Sequence, residues 1–171
     1  MEISLLTPKC TLVPADFYNP DSARESLGKV VRLEAADEVK AVEIARYGAV
    51  LLYAAGAGTG TLINEDSVSG EEEPLPEMFF ILRDLQNCSE YNKILCSWHE
   101  GHLYMAIAQG KTLLLANVYE ASDFTTAEYY IFLAVKSLQI NPEVSSICWR
   151  SPIGSEDELS LYRYFKAVEK I

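Results

Sequence analysis

Residues 93–119 read KILCSWHEGHLYMAIAQGKTLLLANVY, and this stretch predicts three consecutive β-strands. The strands are rich in apolar, β-branched and aromatic side chains, and they span Lys93–Trp98, His102–Ala108 and Thr112–Tyr119. The turns between them fall at Glu100-Gly101 and Gln109-Gly110. Because links this short join antiparallel neighbours, the stretch predicts a three-stranded meander.

A helix is predicted after the meander, with a capping box at its start. Thr125 and Glu128 have the capping-box spacing, and Ser122 with Thr125 fits it less well. Apolar residues then recur at helical spacing, at Ala127, Ile131, Ala134, Val135 and Leu138. Pro142 is expected to end this helix.

A short apolar strand, Val144–Trp149, and a second helix complete the pattern. Ser155 and Glu158 form another capping box. The helix that it opens would carry Leu161, Tyr162, Phe165 and Val168 on one face.

The element order is therefore βββαβα. A strand that follows a crossover helix returns parallel to its sheet in most folds, so the sheet should be mixed and flanked by helices. This is the order of a ribonuclease H-like unit. We assign residues 77–171 to it, including a short helix over Glu77–Gln86.

Residues 1–60 predict a smaller, partial α/β lobe. A helix should start at Pro20 after the cap residue Asn19. Strand candidates are Glu2–Leu6, Cys10–Val13, Val39–Ala45 and Ala49–Ala55, the last apolar on both faces as in a buried central strand.

The composition changes between Gly56 and Pro76. Four of the nine glycines fall there, together with two prolines and the acidic run Glu71-Glu72-Glu73. We predict a flexible acidic connection over residues 61–76, which separates the two lobes.

The overall charge excludes some partners. The 14 basic and 25 acidic residues give a net charge of -11, which repels a phosphate backbone, so we expect no nucleic-acid partner. The N-terminus lacks the basic and apolar regions of a signal peptide, and no apolar stretch is long enough to span a membrane. We therefore expect a cytoplasmic protein without a membrane partner.

The cysteines fit this location. Cys10, Cys88, Cys96 and Cys148 are scattered, with no C-x-x-C pair that would suggest a zinc ribbon. Cys96 and Cys148 lie in apolar strands, where a free thiol acts as a small hydrophobic group. We expect all four to be reduced.

Short motifs in a fixed order resemble a known bacterial family. These are Thr11-Leu12-Val13-Pro14, the strand Leu113–Tyr119 that contains Asn117, and the paired Tyr129-Tyr130. In this order they are similar to the domain of unknown function 3822 family, over about Thr11 to Ile171. The resemblance implies two ribonuclease H-like units, as in actin-like ATPases. It also implies that the first unit is reduced to its second half, because family members carry a segment before the "TLVP" strand. The family has no established activity.

The sequence lacks the residues that nucleases and ATPases of this fold need for catalysis. Two-metal nucleases need a cluster of carboxylates, one of them on the first strand of the unit, but Lys93–Trp98 contains no acid. Glu128 on the following helix is explained by its capping box. The turn Trp98–His102 has one glycine, too few for the phosphate cradle of an actin-like ATPase. A nucleophile elbow is also missing.

Two further patterns supply candidate binding residues. Gly56, Gly58 and Gly60 follow a buried strand and are the candidates for an anion or cofactor, but no Gly-Lys-Ser/Thr follows, so a connection explains them better. His99 and His102 bracket a predicted turn and are the candidates for a metal, although no third ligand can be named.

Aromatic residues are concentrated in the last third of the chain. Most of them should pack into the core, although tyrosine also favours protein contacts. The set is Tyr119, Phe124, Tyr129, Tyr130, Tyr162, Tyr164 and Phe165.

The sequence thus predicts a non-catalytic module that needs no cofactor and acts through protein contacts or self-association. An open sheet edge at Glu2–Leu6 or Cys10–Val13 would invite a partner strand. The alternative is a nucleotide-binding relic that uses the cleft between the lobes without hydrolysis.

Overall fold

The computed structural model describes residues 3–56, 60–63 and 73–171. The chain forms two compact units, Met1–Phe80 and Ile81–Ile171. The expected division at residues 60 and 76 stays a prediction, because residues 64–72 lie outside the described residues. No helix among the described residues is long and apolar enough to cross a membrane.

In its described residues, the first unit contains two three-stranded sheets and one short α-helix ahead of residue 77. Its elements are β1 (Ser4–Leu6), β2 (Cys10–Pro14), α1 (Ala23–Gly28), β3 (Glu38–Ile44), β4 (Ala49–Ala55), β5 (Thr61–Ile63) and β6 (Leu75–Pro76). One sheet has the order β2-β4-β3 and the other has the order β5-β1-β6.

Strand β4 is the centre of the first unit, as its sequence predicted. All seven of its residues are buried. Val50, Leu52 and Ala54 pack with Leu27 of α1 on one face. On the other face, Tyr53 and Ala55 pack with Leu5 of β1. The two faces need apolar side chains, and this explains why β4 lacks the alternation of a half-exposed strand.

The predicted open edge is corrected at one of its two positions. Strand β1 pairs with β5 on one side and with β6 on the other, so the described part of the first candidate, Ser4–Leu6, is not an edge. Strand β2 does lie at the edge of its sheet in the described part of the chain. β5 and β6, which close β1, belong to the stretch where only a connection was predicted.

The second unit is built on a five-stranded sheet of order β11-β10-β7-β8-β9. The unit begins within α2 (Glu77–Asp84), and its other elements are β7 (Asn92–His99), β8 (His102–Gln109), β9 (Thr112–Glu120), α3 (Phe124–Ser137), β10 (Ser146–Trp149), α4 (Ser155–Tyr162) and β11 (Ala167–Lys170). The meander β7-β8-β9 is antiparallel, and β10 pairs parallel to β7, as predicted.

The end of the chain differs from the prediction. The last helix ends at Tyr162, and Ala167–Lys170 forms a strand parallel to β10, so the order is βββαβαβ. Phe165 and Val168 are both buried. The spacing of Leu161, Phe165 and Val168 suggested one helical face, but a turn and a short strand bury the same three side chains.

Both capping-box predictions are wrong. Asp123 caps α3, and its carboxylate Oδ1 accepts a hydrogen bond from the Thr126 N–H at 2.7 Å. Gly154 occupies the N-cap position of α4 without a side-chain bond, and Ser155 is the first helical residue. Asp123 fits its role because its extended backbone lets the short carboxylate reach the first-turn amides.

The core of the second unit lies between the sheet and helices α3 and α4. It contains Ile94 and Cys96 of β7, Ile131 and Val135 of α3, and Leu161 of α4, all buried. Trp149 of β10 is 1% exposed and lies in the same cluster. A continuous apolar core of this kind fixes the meander against its helices.

The cap at Asp123 predicts a specific loss of stability. Removing the carboxylate with Asp123→Ala should lower the melting temperature by a few degrees, because two first-turn donors lose their acceptor. Thr125→Ala should leave the melting temperature nearly unchanged. Asp123→Asn should retain most of the stability that the cap provides. Thermal unfolding followed by circular dichroism measures all three.

The pH dependence of that difference follows from the sign of the shift. Hydrogen bonds from Thr126 lower the pKa of Asp123 from its ordinary 3.8. A carboxyl group whose pKa is lower in the folded than in the unfolded state stabilises the folded state at pH values above its unfolded-state pKa. This stabilisation is lost as the pH falls through the folded-state pKa. The gap between the wild type and Asp123→Ala should therefore shrink below pH 3.8. A gap that is independent of pH would contradict the cap.

Candidate functional site

A cavity of about 270 Å³ lies in the first unit and brings together two of the candidate glycines. Its lining comes from both sheets and from the segment before β6. The lining residues are Leu5, Lys40, Ala55, Gly56, Gly60, Leu62, Glu73 and Pro74. The third candidate, Gly58, lies outside the described residues.

The two glycines have structural reasons to be there. Gly60 has φ +73°, and a Cβ at this position would lie 2.7 Å from the backbone oxygen of Leu6. Gly56 has φ +117°, another conformation that favours glycine. Gly60 thus lets the chain pass closely over β1, and a Cβ at Gly56 would lie 3.3 Å from the backbone oxygen of Ala36, so both glycines are explained without an anion.

The charge in the cavity is already paired. Lys40 Nζ forms an ion pair with Glu73 Oε1. The hydrogen bond to Glu73 raises the pKa of the Lys40 ammonium. Tyr53 lies opposite Lys40 in the β3–β4 pairing, and burial together with the charge of Glu73 raises its pKa. Among the described lining residues, Lys40 is the one cation, and its ion pair with Glu73 places a carboxylate beside any anion that binds there.

The two histidines lie side by side at the end of the β7–β8 hairpin. His99 pairs directly with His102, and the turn between them has φ values of 48° at Glu100 and 75° at Gly101. Two left-handed residues are typical of a tight hairpin turn. His102 Nδ1 lies 3.1 Å from the Glu100 carbonyl oxygen. In the described part of the chain, no three His, Cys, Asp or Glu side chains form a metal cluster.

Glu128 has a different environment from the one its sequence suggested. Since Asp123 provides the cap, Glu128 is free of that role. Its Oε1 atom is buried and has no hydrogen-bond partner among the described residues. The core strand β7 contributes no carboxylate beside it, so one acid stands where a nuclease needs several.

A tyrosine strip crosses from helix α3 to the edge strand β9. We use this name for Tyr119, Tyr129, Tyr130 and Leu133. Tyr119 of β9 stacks on Tyr130 at 4.7 Å between ring centroids, and Tyr130 meets Tyr129 edge-on at 5.3 Å. Tyr129 is 61% exposed and Leu133, one turn further on, is 45% exposed. Tyr129 and Leu133 form the exposed part of the strip, whereas Tyr119 and Tyr130 are half-buried against the core of the second unit.

Strand β9 borders the strip as the last strand of its sheet. Its nine residues contain a single charge, Glu120 at the end. Two features limit strand addition along it, a register shift between Ile107 and Ala108 of β8 and a bond from the Val118 N–H to Asn117 Oδ1 at 2.9 Å. Side chains rather than the whole backbone edge are therefore available for contact.

Four of the seven predicted aromatic residues pack in or against the core. Phe165 is buried and Tyr119, Phe124 and Tyr130 are partly buried against the same cluster, whereas Tyr129, Tyr162 and Tyr164 are exposed. Tyr162 and Tyr164 surround the turn after α4, where the predicted helix has already ended. Neighbouring residues of a helix point about 100° apart, so Tyr129 and Tyr130 should have different environments. In agreement with this, Tyr129 is exposed and Tyr130 is half-buried.

The fold is similar to that of a solved protein. No curated protein matches the chain. A Bacteroides thetaiotaomicron VPI-5482 protein with an actin-like ATPase fold and unknown function matches with a TM-score of 0.75 and 14% sequence identity. The match covers 97% of this chain and 66% of that protein, so the chain spans just under two thirds of its length. At this identity the likeness shows the fold alone, and it agrees with the fold that the resemblance implied.

The family is shown by the sequence itself. The family described as "Protein of unknown function (DUF3822)" matches residues 2–168, nearly the whole chain. The motifs at Thr11–Pro14, Leu113–Tyr119 and Tyr129-Tyr130 all lie inside that range. The chain belongs to the DUF3822 family.

Proposed function

We propose that this chain is a non-catalytic module of the cytoplasm, on a degenerate ribonuclease H-like scaffold, that acts by binding another protein. The observation that carries the proposal is the tyrosine strip beside the nearly uncharged edge strand β9. The free thiol state of all four cysteines, which lie among the described residues, fits a reducing compartment.

The composition of the strip suits a protein contact. Tyrosine offers a large apolar ring with a polar tip and loses little conformational entropy on binding. Leu133 adds an aliphatic side chain on the same face of α3 as Tyr129, four residues away. A patch of this kind, exposed next to a sheet edge, is more typical of an interface than of a catalytic pocket.

The core of the second unit supports the non-catalytic part of the proposal. Strand β7 occupies the position where two-metal chemistry needs an acid, and residues Ile94, Leu95, Cys96 and Ser97 are each 0% exposed. A carboxylate added there would lose its hydration without a partner. At the position where two-metal nucleases of this fold would hold metal ions, this scaffold therefore has packed core residues.

Site-specific photo-crosslinking in the native host tests the contact. A photoreactive phenylalanine at position 129 should give one discrete protein adduct. The same group at Phe17, which is 80% exposed in the first unit, is the matched control and should give none. Adducts of equal yield from both positions, or none from either, would contradict the proposed surface.

A substitution on the same face sharpens the test. Leu133→Asp should weaken binding of the adduct partner about tenfold or more, because a charge would be desolvated in the interface. Val30→Asp, at another exposed apolar position in the first unit, should leave binding unchanged. Both variants should keep their melting temperatures, since neither side chain is in a core.

The alternative function is nucleotide binding without hydrolysis. Its support is the meeting of Gly56 and Gly60 at one cavity. The pairing of Lys40 with Glu73 speaks against a polyphosphate at that place. The contact function is therefore the one the described residues favour.

Thermal unfolding with ATP and magnesium separates the two functions. We expect no shift at millimolar ligand. A ligand at 100 times its Kd would stabilise the folded state by about 2.7 kcal/mol, which raises the melting temperature by roughly 5–10 °C in a chain of this size. Magnesium pyrophosphate is the control for charge alone. A shift with ATP and none with pyrophosphate would replace the contact function with the alternative.

A further inference from the structure

The two histidines of the β7–β8 hairpin lie in line with a carboxylate of the third strand. His99 of β7 pairs with His102 of β8, and His102 pairs in turn with Glu120 of β9. Residues that pair directly across neighbouring strands lie on the same face of the sheet, with their Cβ atoms about 5 Å apart. The three side chains therefore form a row across three strands, which we call the end row.

The end row lies where this face of the sheet meets solvent. The next pair on the same face is Ser97 with Tyr104, and these residues are 0% and 1% exposed. In the end row itself, His99 and His102 are half-buried and Glu120 is exposed. Each imidazole thus has a packed environment on one side and access to solvent on the other.

A hydrogen bond determines which ring nitrogen of His102 can bind a ligand. The Nδ1 atom of His102 lies 3.1 Å from the carbonyl oxygen of Glu100. Because a carbonyl oxygen can only accept, Nδ1 carries the proton and Nε2 carries the free lone pair. Histidines that bind metal ions usually donate their second ring N–H to a carbonyl or carboxylate in this way, which orients the ring and raises its basicity.

Two further hydrogen bonds hold Glu120 beside the hairpin. Ala121, the next residue, donates its N–H to the Gly101 carbonyl at 2.7 Å. The carbonyl oxygen of Ala121 accepts from Trp98 Nε1 at 2.9 Å. Since Trp98 precedes the turn and Gly101 lies within it, these bonds fix the backbone at Glu120 relative to both histidines.

We propose that His99, His102 and Glu120 bind a divalent transition-metal ion of the zinc class, with the imidazoles as nitrogen ligands and the Glu120 carboxylate as the oxygen ligand. Strand β9 thereby supplies the third ligand that the sequence alone could not name. The proposal concerns a metal site and is independent of the protein contact proposed above.

The set of donor atoms selects the ion. Imidazole nitrogens suit Zn²⁺, Cu²⁺ and Ni²⁺, whereas Mg²⁺ and Ca²⁺ prefer oxygen ligands. Two nitrogens and one carboxylate leave the remaining coordination positions to water, as in zinc sites with an open position. The net charge of -11 favours the approach of a cation.

Binding requires rotation of side chains on a backbone that is already in place. In the described structure the three groups are not gathered around one point. Glu120 is exposed, so turning its carboxylate toward the imidazoles disturbs no core contact. Because this rotation and the loss of side-chain freedom oppose binding, we expect a micromolar Kd for Zn²⁺ and a readily exchanged ion.

Nuclear magnetic resonance of the wild-type protein tests the site directly. The chain contains two histidines, so long-range ¹H–¹⁵N spectra of the chelator-treated, ¹⁵N-labelled protein should show two imidazoles. Zn²⁺ should shift the ring nitrogens of both with one common Kd, EDTA should reverse the shift, and Mg²⁺ should cause none. A shift confined to one histidine, or none at millimolar Zn²⁺, would overturn the proposal.

Substitutions assign the ligands, with calorimetry as the measurement. His99→Gln and His102→Gln should each raise the Kd for Zn²⁺ at least tenfold, and Glu120→Gln should raise it several-fold. Glu43→Gln is the matched control, because it removes an exposed strand carboxylate from the first unit, and it should leave the Kd unchanged.

Two outcomes of the calorimetry would contradict the assignment. A wild-type Kd in both histidine variants would place the ion elsewhere, for example on a thiol. Equal effects of Glu120→Gln and Glu43→Gln would reduce the role of Glu120 to general charge. Melting temperatures of the metal-free variants, which should match that of the wild type, show that the comparison is between folded proteins.

Discussion

The burial of strand β7 on both of its faces is the constraint on which the second unit depends. Ile94 and Cys96 face the cluster with α3 and α4, and Leu95 and Ser97 are equally inaccessible to solvent. β8 on one side and β10 on the other complete its backbone hydrogen bonds. A strand enclosed in this way tolerates no unpaired charge. Lys93 is consistent with this rule, because its ammonium bonds to the Cys88 carbonyl.

The burial of β7 is incompatible with the metal-binding carboxylates that nucleases of this fold use. Carboxylates that hold metal ions need partial hydration or cations, and the buried segment Ile94–Ser97 of β7 offers neither. Polar groups of the unit are instead found around the sheet, at the hairpin turn of His99 and His102, along β9 and next to Cys88.

Local sequence rules were sufficient where one interaction dominates. The run Ala49–Ala55 had to be a central strand because no polar residue interrupts it, and the Glu100-Gly101 pair had to turn because two left-handed residues suit a tight hairpin. The family motifs likewise predict an actin-like fold, and the similarity to the solved protein agrees with it. In these places propensity, pattern and topology point the same way.

The errors arose where two structures bury the same side chains. Phe165 and Val168 reach the core equally well from a helix or from a turn and a strand, and only pairing with β10 decides between them. The cap of α3 was missed because Asp123 and Thr125 are both good capping residues two positions apart. The exposure of Tyr129 could not follow from composition, since tyrosine is common both inside and at interfaces.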